Sequence, residues 1–241
     1  MEMNVSKVQR YVCPVPPMSC ASSYSTCAMN TVVQFAVGPK TIVNDEPVRR
    51  FGLVWLPGSG QAPDNELLRR FVNALFETLP LSVGIDVLAV AYHQVDDAIA
   101  TFNGLAIVVG GHSMGGTIAH TCGNKKGVLG TLSIGVSPSS VSHSIPHAAL
   151  VVIGENDSVY RLQNQIMVKD GSLSFTAVHQ RELGSKLTVV VAKEGDHSIR
   201  WLPRSATDKE AASIIPETKA MNLEVAQHVH LFLASLVENL W

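Results

Sequence analysis

The sequence predicts an α/β protein whose mostly parallel, twisted sheet carries helices on both faces. Short apolar runs, such as residues 51–56 and 150–153, alternate with segments of helical periodicity. Strands that are apolar throughout are typical of parallel sheets covered on both sides. Because no internal repeat or low-complexity linker divides the chain, we expect a single domain over residues 31–241. An irregular lead segment over residues 1–30 precedes it.

The individual elements follow from local periodicity and from turn residues. In the first long helix, Leu67, Phe71 and Leu75 recur at helical spacing, and Asp64 is the predicted N-cap. The segment 158–185 is ambiguous, with a modest helix predicted at its start. Strands are predicted at residues 31–37, 51–56, 85–91, 105–109, 128–136, 150–153 and 186–192, and helices at residues 64–79, 96–102, 114–123 and from 216 to the end.

Composition excludes several classes of function. The 241 residues are 46% hydrophobic and 16% charged, with a net charge of -2, so the chain has no electrostatic footprint for nucleic acid. No apolar run approaches the roughly 20 residues that span a bilayer. No continuous apolar stretch precedes Pro14, so we expect no secretory signal and a cytoplasmic protein without stable membrane insertion. The oligomeric state stays open.

Three of the four cysteines lie in the lead segment. Cys13, Cys20 and Cys27 recur every seven residues, whereas Cys122 lies far away in the chain. A zinc site usually has more closely spaced pairs of ligands, so plain thiols are favoured over a metal site. We therefore expect neither a metal ion nor a cofactor.

The segment Gly111-His112-Ser113-Met114-Gly115 has the G-x-S-x-G spacing of a nucleophile elbow. An apolar run precedes it and a helix-forming segment follows, which is the setting that this motif requires. A serine in a tight strand-to-helix turn needs glycine two residues away on each side, because larger side chains would collide there. The pattern predicts Ser113 as a nucleophile. An ordinary tight turn is the alternative.

A serine nucleophile needs a base, and the base needs an orienting acid. After an elbow these follow in the order acid and then histidine. Asp157 lies just past one predicted strand and is the favoured acid, with Glu155 as its rival. His197 lies just past the next strand and is the predicted base, with a surface histidine as the alternative. Asp196 is interpreted as a loop-forming residue.

The intermediate of such a reaction needs hydrogen-bond donors for its oxyanion. The backbone N–H of Met114 is one predicted donor. The loop after residues 51–56 supplies the second, with Ser59 favoured over Gly58, although a simple Gly/Pro turn would also explain this loop. Ser137 and Trp201 are the candidate substrate-binding residues. Trp201 is equally explained as packing.

Taken together, these motifs resemble the α/β-hydrolase superfamily, and a small dienelactone-hydrolase-like or carboxylesterase-like member in particular. The resemblance covers roughly residues 31–241. It implies a serine hydrolase that cleaves esters or thioesters of small to medium acyl groups. The residues that carry it are Gly58-Ser59-Gly60, Gly111-His112-Ser113-Met114-Gly115-Gly116, Gly154-Glu155-Asn156-Asp157 and Gly195-Asp196-His197.

The chain also departs from many members of this superfamily. Its oxyanion loop lacks the histidine with which many relatives begin. Only residues 137–149 separate two predicted strands where relatives often carry a helical lid, so we expect the lid to be reduced or absent. Two other functions stay open, namely a non-catalytic ligand-binding protein on the same fold and a lyase or perhydrolase that uses the same triad.

Overall fold

The computed structural model describes residues 33–37, 49–78, 83–138, 141, 147–159, 176–180, 186–202 and 215–238. The predicted lead segment 1–30, with Cys13, Cys20 and Cys27, lies outside the described residues. So does most of the helix that the sequence predicts at the start of segment 158–185.

Within the described residues, the strands form a single sheet. Its order is β1-β3-β2-β4-β5-β6-β8-β7, and the six strands from β3 to β8 in that order are parallel, whereas β1 and β7 pair antiparallel at the two edges. This is the mostly parallel sheet that the sequence predicts. The strands are β1 (Val33–Val37), β2 (Arg49–Leu56), β3 (Val83–Ala89), β4 (Ala106–His112), β5 (Val128–Ile134), β6 (Ala148–Gly154), β7 (Thr176–Gln180) and β8 (Leu187–Ala192).

Helices cover both faces of this sheet. They are α1 (Glu66–Thr78), α2 (Val95–Thr101), α3 (Met114–Thr121) and α4 (Ile215–Glu238). Alternate residues of β2 divide between the two faces. Trp55 packs with the apolar stripes of α1 and α4, whereas Val54 packs on the opposite face with α2 and α3. Both faces are apolar because both are buried, which explains the unbroken apolar runs in the sequence.

Two local predictions differ from the structure. The N-cap of α1 is Asn65, not Asp64, because the Asn65 Oδ1 accepts the N–H of Leu68 at 3.0 Å. The Asp64 carboxylate instead pairs with Arg69. Strand β7 was not predicted, because its mixed sequence has no apolar run and its order depends on antiparallel pairing with β8.

The carboxyl ends of the parallel strands meet at one edge of the sheet, where the site is built. β4 lies between β2 and β5, and β6 lies between β5 and β8. The loops that follow β2, β4, β6 and β8 therefore emerge side by side. No helix in the described part of the chain is both long enough and apolar enough to cross a membrane.

Candidate active site

Ser113 occupies a strained turn between the end of β4 and the start of α3. Its φ of 52° lies in the left-handed region that residues other than glycine rarely adopt. The glycines around it are required by close backbone contacts. A Cβ on Gly111 would lie 2.5 Å from the carbonyl carbon of Gly115, and a Cβ on Gly115 would lie 2.2 Å from the carbonyl oxygen of Pro57. The turn thus places the half-buried Ser113 at the N-terminus of α3.

His197 and Asp157 form a direct hydrogen bond. The distance between His197 Nδ1 and Asp157 Oδ2 is 2.7 Å, and the Asp157 side chain is 0% exposed. The other oxygen, Asp157 Oδ1, accepts the N–H of Val159 at 2.8 Å, which fixes the carboxylate. With its proton on Nδ1, the His197 imidazole carries a lone pair on Nε2 that can take a proton from a hydroxyl group.

The end of β5 brings His197 beside the elbow. The N–H of Ser113 donates to the carbonyl of Ile134 at 2.8 Å. At the next residue, Gly135, an added Cβ would lie 3.0 Å from the Nδ1 and Cε1 atoms of His197. The rings of His112 and His197 are also in contact, with centroids 4.8 Å apart. The end of β5 therefore contacts both residues: Ile134 binds the backbone N–H of Ser113, and the next residue, Gly135, packs against the imidazole of His197.

The two neighbouring acids have structural contacts within this region. Glu155 Oε2 accepts the N–H of Glu194 at 3.0 Å. The φ of Glu194 is 54°. Asp196 accepts the N–H groups of Ser198 and Arg200, and it pairs with the Arg200 side chain at 2.7 Å. Both carboxylates thus shape the loop over residues 193–200, hereafter the β8 loop, and it is Asp157 that bonds to the imidazole.

Side chains from α1 and α4 bind the backbone of the β8 loop. Ile199 is 1% exposed and has a φ of 54°, which is an outlier for a β-branched residue. Its carbonyl accepts hydrogen bonds from Arg70 in α1 at 3.3 Å and from Asn222 in α4 at 3.2 Å. Arg70 also donates to the carbonyl of Ser198 at 3.0 Å. Sequence reasoning missed Arg70 and Asn222, because no local pattern marks a contact between such distant segments.

The loop over residues 57–61, hereafter the β2 loop, lies against the first turn of α3 through the contact between Pro57 and Gly115. Met114 offers a backbone N–H at that first turn, where helical N–H groups have no partner within the helix. Ser59 is exposed in the β2 loop. The N–H of Gly58 donates to Gln61 Oε1 at 3.1 Å, so in this structure it points at a side chain of the same loop.

Two further residues that the sequence did not reveal support the β2 loop. The Tyr92 hydroxyl, in a 3-10 turn after β3, donates to the carbonyl of Pro57 at 2.8 Å. His112 lies behind the loop, and burial together with the nearby His197 lowers the pKa of its imidazole to about 4. In the sequence, only the position of His112 next to Ser113 points to a role for this histidine. No sequence motif marks Tyr92.

The two candidate substrate-binding residues differ in their surroundings. Ser137 is half-buried and follows Gly135, the glycine that packs against His197, by two residues. Trp201 is half-buried against the apolar core under α1 and α4, and its backbone N–H donates to Thr218 Oγ1 at 3.0 Å. These contacts favour the packing interpretation of Trp201.

Among the described residues, no group of three or more His, Cys, Asp or Glu side chains is placed to hold a metal ion. Cys122 is buried as a free thiol at the end of α3, and burial raises its pKa. It packs in the apolar cluster with α2 and α3.

No protein-family model matches the chain, and no curated protein matches it. Solved structures do match. A membrane phospholipase A described as a bacterial virulence factor shares 12% identity over 95% of this chain and 86% of its own, with a TM-score of 0.55. An α/β serine hydrolase without a lid from Xanthomonas campestris shares 12% identity over 94% of this chain and 97% of its own, with a TM-score of 0.51.

A thermophilic esterase from Thermogutta terrifontis shares 13% identity over 95% of this chain and 99% of its own, with a TM-score of 0.50. At such identities the likeness concerns the fold. The chain therefore has the fold of the α/β serine hydrolases, and the prediction from its motifs is confirmed at that level.

Proposed function

We propose that the protein is a serine hydrolase that cleaves carboxylic esters or thioesters of small to medium acyl groups. The observation that carries the proposal is the 2.7 Å hydrogen bond between His197 and the buried Asp157, beside the strained turn that contains Ser113. A histidine oriented by a carboxylate and placed next to a serine is the arrangement that activates a hydroxyl group.

In the proposed reaction, Ser113 Oγ attacks the acyl carbon and its proton passes to His197 Nε2. The tetrahedral intermediate collapses with cleavage of the bond to the leaving group, which departs as an alcohol or thiol with that proton. Water then attacks the acyl-enzyme and gives a proton to the same nitrogen. The second collapse releases the carboxylic acid and returns the proton to Ser113. Asp157 stabilises the imidazolium in both halves.

The negative charge on the intermediate calls for donors at the start of α3 and in the β2 loop. The N–H groups of Met114 and Ser59 are the proposed pair, with Gly58 as the alternative to Ser59. Contact between Pro57 and Gly115 supports this pairing, because it holds the β2 loop against the first turn of α3. Preorganised donors of this kind contribute strongly to catalysis, since they need no rearrangement during the reaction.

Two features support an acyl ester or thioester as the substrate. The matched structures include proteins described as an esterase and as a phospholipase A. In this chain, exposed apolar side chains follow the nucleophile and the acid: Met114 is 41% exposed and Val159 is 59% exposed. Apolar surface beside the reacting groups suits an acyl chain better than a charged one.

The test is hydrolysis of p-nitrophenyl esters and matched thioesters of graded acyl length by the wild-type protein and by Ser113→Ala. We expect Ser113→Ala to lower kcat by on the order of 10³-fold or more. Ser235→Ala, on the distant helix α4, is the matched control and should retain wild-type turnover. Undiminished hydrolysis by Ser113→Ala would exclude the mechanism.

The same protein samples separate the two other functions. A non-catalytic binding protein would show no Ser113-dependent turnover of any ester or thioester. A lyase or perhydrolase would convert its substrate without releasing a carboxylic acid through water. Trapping of an acyl group on Ser113 followed by its release as the free acid identifies the hydrolase.

A further inference from the structure

His112, the residue before the nucleophile, connects the two loops that flank the site. It is 2% exposed at the end of β4. Its Nδ1 lies 3.1 Å from Gln61 Oε1 in the β2 loop, and its Nε2 lies 3.1 Å from the backbone carbonyl oxygen of His197 in the β8 loop. One imidazole therefore spans the gap between the proposed oxyanion donors and the proposed base.

Gln61 transmits this contact to the backbone of the β2 loop. Its Oε1 accepts the N–H of Gly58 at 3.1 Å and the side-chain amide of Asn65 at 3.2 Å, while its own N–H closes a turn onto the Gly58 carbonyl. A Cβ on Gly58 would lie 2.8 Å from both Gln61 Oε1 and His112 Nδ1. Ser59, the favoured donor, lies within the turn that the Gln61 N–H closes onto the Gly58 carbonyl, so a hydrogen bond that holds the Gln61 side chain restrains the turn that contains Ser59.

The two partners of His112 differ in their chemistry. The carbonyl of His197 can only accept, so its contact requires the proton of His112 to be on Nε2. With its proton on Nε2, the imidazole leaves Nδ1 as an acceptor, so Gln61 must present its NH₂ group to Nδ1. A half-turn of the amide exchanges its two ends and provides that donor, and it moves Oε1 away from the N–H of Gly58 and the side-chain amide of Asn65.

We propose that His112 is a positioning residue, which holds the β2 loop and the β8 loop in register through its hydrogen bonds to Gln61 and to the carbonyl of His197. The inference rests on the proposed function, because the register matters only if Ser113 and His197 perform the chemistry. His112 touches no reacting atom in this role. Its effect falls on the transition state, where the oxyanion donors and the base must act on one substrate at the same moment.

The experiment compares His112→Phe, His112→Gln and His112→Asn. Phenylalanine retains the ring volume and removes both hydrogen bonds. Glutamine can place an amide near the Nε2 position, towards the carbonyl of His197, and asparagine can place one near the Nδ1 position, towards Gln61. We expect His112→Phe to lower kcat about 10- to 100-fold with KM within about twofold of the wild type. His112→Gln should regain most of the loss, and His112→Asn should regain less.

A second variant guards against misfolding of the buried His112 substitutions. Gln61 is exposed, so Gln61→Met removes the contact without opening the core. If His112 acts through Gln61, the double variant His112→Phe/Gln61→Met should lose much less kcat than the product of the two single losses. Melting temperatures are measured for every variant, and His228→Phe on α4 is the matched histidine control.

The outcomes separate this inference from the proposed function. Equal turnover by the wild type and Ser113→Ala would overturn both. Ser113-dependent turnover with unchanged kcat in His112→Phe would overturn the inference alone. So would equal kcat losses in the three His112 variants together with multiplicative losses in the double variant, because a merely structural role predicts that pattern.

Discussion

His197 Nδ1 and Asp157 Oδ2 lie 2.7 Å apart, although 40 positions separate the two residues in the chain. The neighbouring carboxylate of Glu155 bonds to the N–H of Glu194 instead. The hydrogen bond between His197 and Asp157 connects the loops that follow two adjacent parallel strands, β6 and β8. It gives the imidazole the orientation that the proposed mechanism needs.

The first prediction concerns the acid. Asp157→Asn should lower kcat by on the order of 10³- to 10⁴-fold, because an amide cannot stabilise the imidazolium and favours the wrong tautomer. Glu155→Gln is the matched control. Its remaining amide oxygen can still accept the N–H of Glu194, so its kcat should stay within about tenfold of the wild type. Steady-state kinetics on one p-nitrophenyl ester checks both, and the reverse order of losses would identify Glu155 as the acid.

A second prediction concerns the packing of α3 on the β2 loop. Gly115→Ala should lower the free energy of unfolding by about 2 kcal/mol or more and should reduce kcat, because the new Cβ would meet the backbone oxygens of Leu56 and Pro57. Gly104→Ala is the control. Its φ of 89° strains any side chain, but the space around it is open, so it should cost about 1–2 kcal/mol and leave kcat unchanged. Urea unfolding and activity measurements test this pair. Equal kcat in both variants would contradict the proposed role of the close contact.

The third prediction uses two adjacent arginines of α1. Arg70→Met should lower the free energy of unfolding by on the order of 2 kcal/mol and should lower kcat, because the carbonyls of Ser198 and Ile199 lose a donor. Arg69→Met removes only a pair with Asp64 in which the arginine side chain is 48% exposed, so it should change stability by about 0–1 kcal/mol. Arg70→Lys should recover part of kcat. Indistinguishable Arg69→Met and Arg70→Met variants would show that the β8 loop does not depend on α1.

The fourth prediction is a loss of stability in acid. Burial lowers the pKa of His112 and of His120 to about 4 from the ordinary value of 6.5. Between these values the unfolded chain binds more protons than the folded protein, so the free energy of unfolding falls as the pH falls from about 6.5 to 4. The loss amounts to about 3 kcal/mol for each histidine. The corresponding stability is fully present above pH 6.5 and is lost as the pH falls to about 4.

His120 isolates one part of this effect. Its two nitrogens contact the hydroxyl groups of Thr131 and Ser133 at 2.8 and 3.0 Å. His120→Gln cannot titrate, so the free energy of unfolding of this variant should depend less steeply on pH between 4 and 6.5 than that of the wild type. Urea titrations at several pH values measure both slopes. Parallel curves would show that His120 does not carry the predicted proton linkage.

The sequence predicts the elements of this fold well where the signal is local. The β4–α3 turn is marked by an apolar run, by glycines at fixed spacing and by a helix-forming segment. The elements that it misses depend on distant partners. β7 is ordered by its pairing with β8, and the choice of Asn65 over Asp64 as the cap depends on one side-chain geometry.

The same distinction applies to the site. Ser113, Asp157 and His197 each follow an apolar strand, so their positions at one edge of the sheet follow from the topology. No comparable sequence pattern identifies the side chains that support these three residues. Arg70 contacts a loop that lies 128 residues away in the chain, and the pair His112 and Gln61 is separated by 51 residues. Their roles emerge only when the packing of the loops is known.

The most direct test of the central claim is covalent labelling of the nucleophile. The wild-type protein, Ser113→Ala and His197→Gln are incubated with a fluorophosphonate, and the adduct is located by intact mass and peptide mapping. Phosphonylation needs both an activated hydroxyl group and an imidazole beside it. The account predicts one adduct, on Ser113, that is absent from Ser113→Ala and forms much more slowly in His197→Gln. A wild-type protein that stays unlabelled, or that is labelled at another residue, would contradict it.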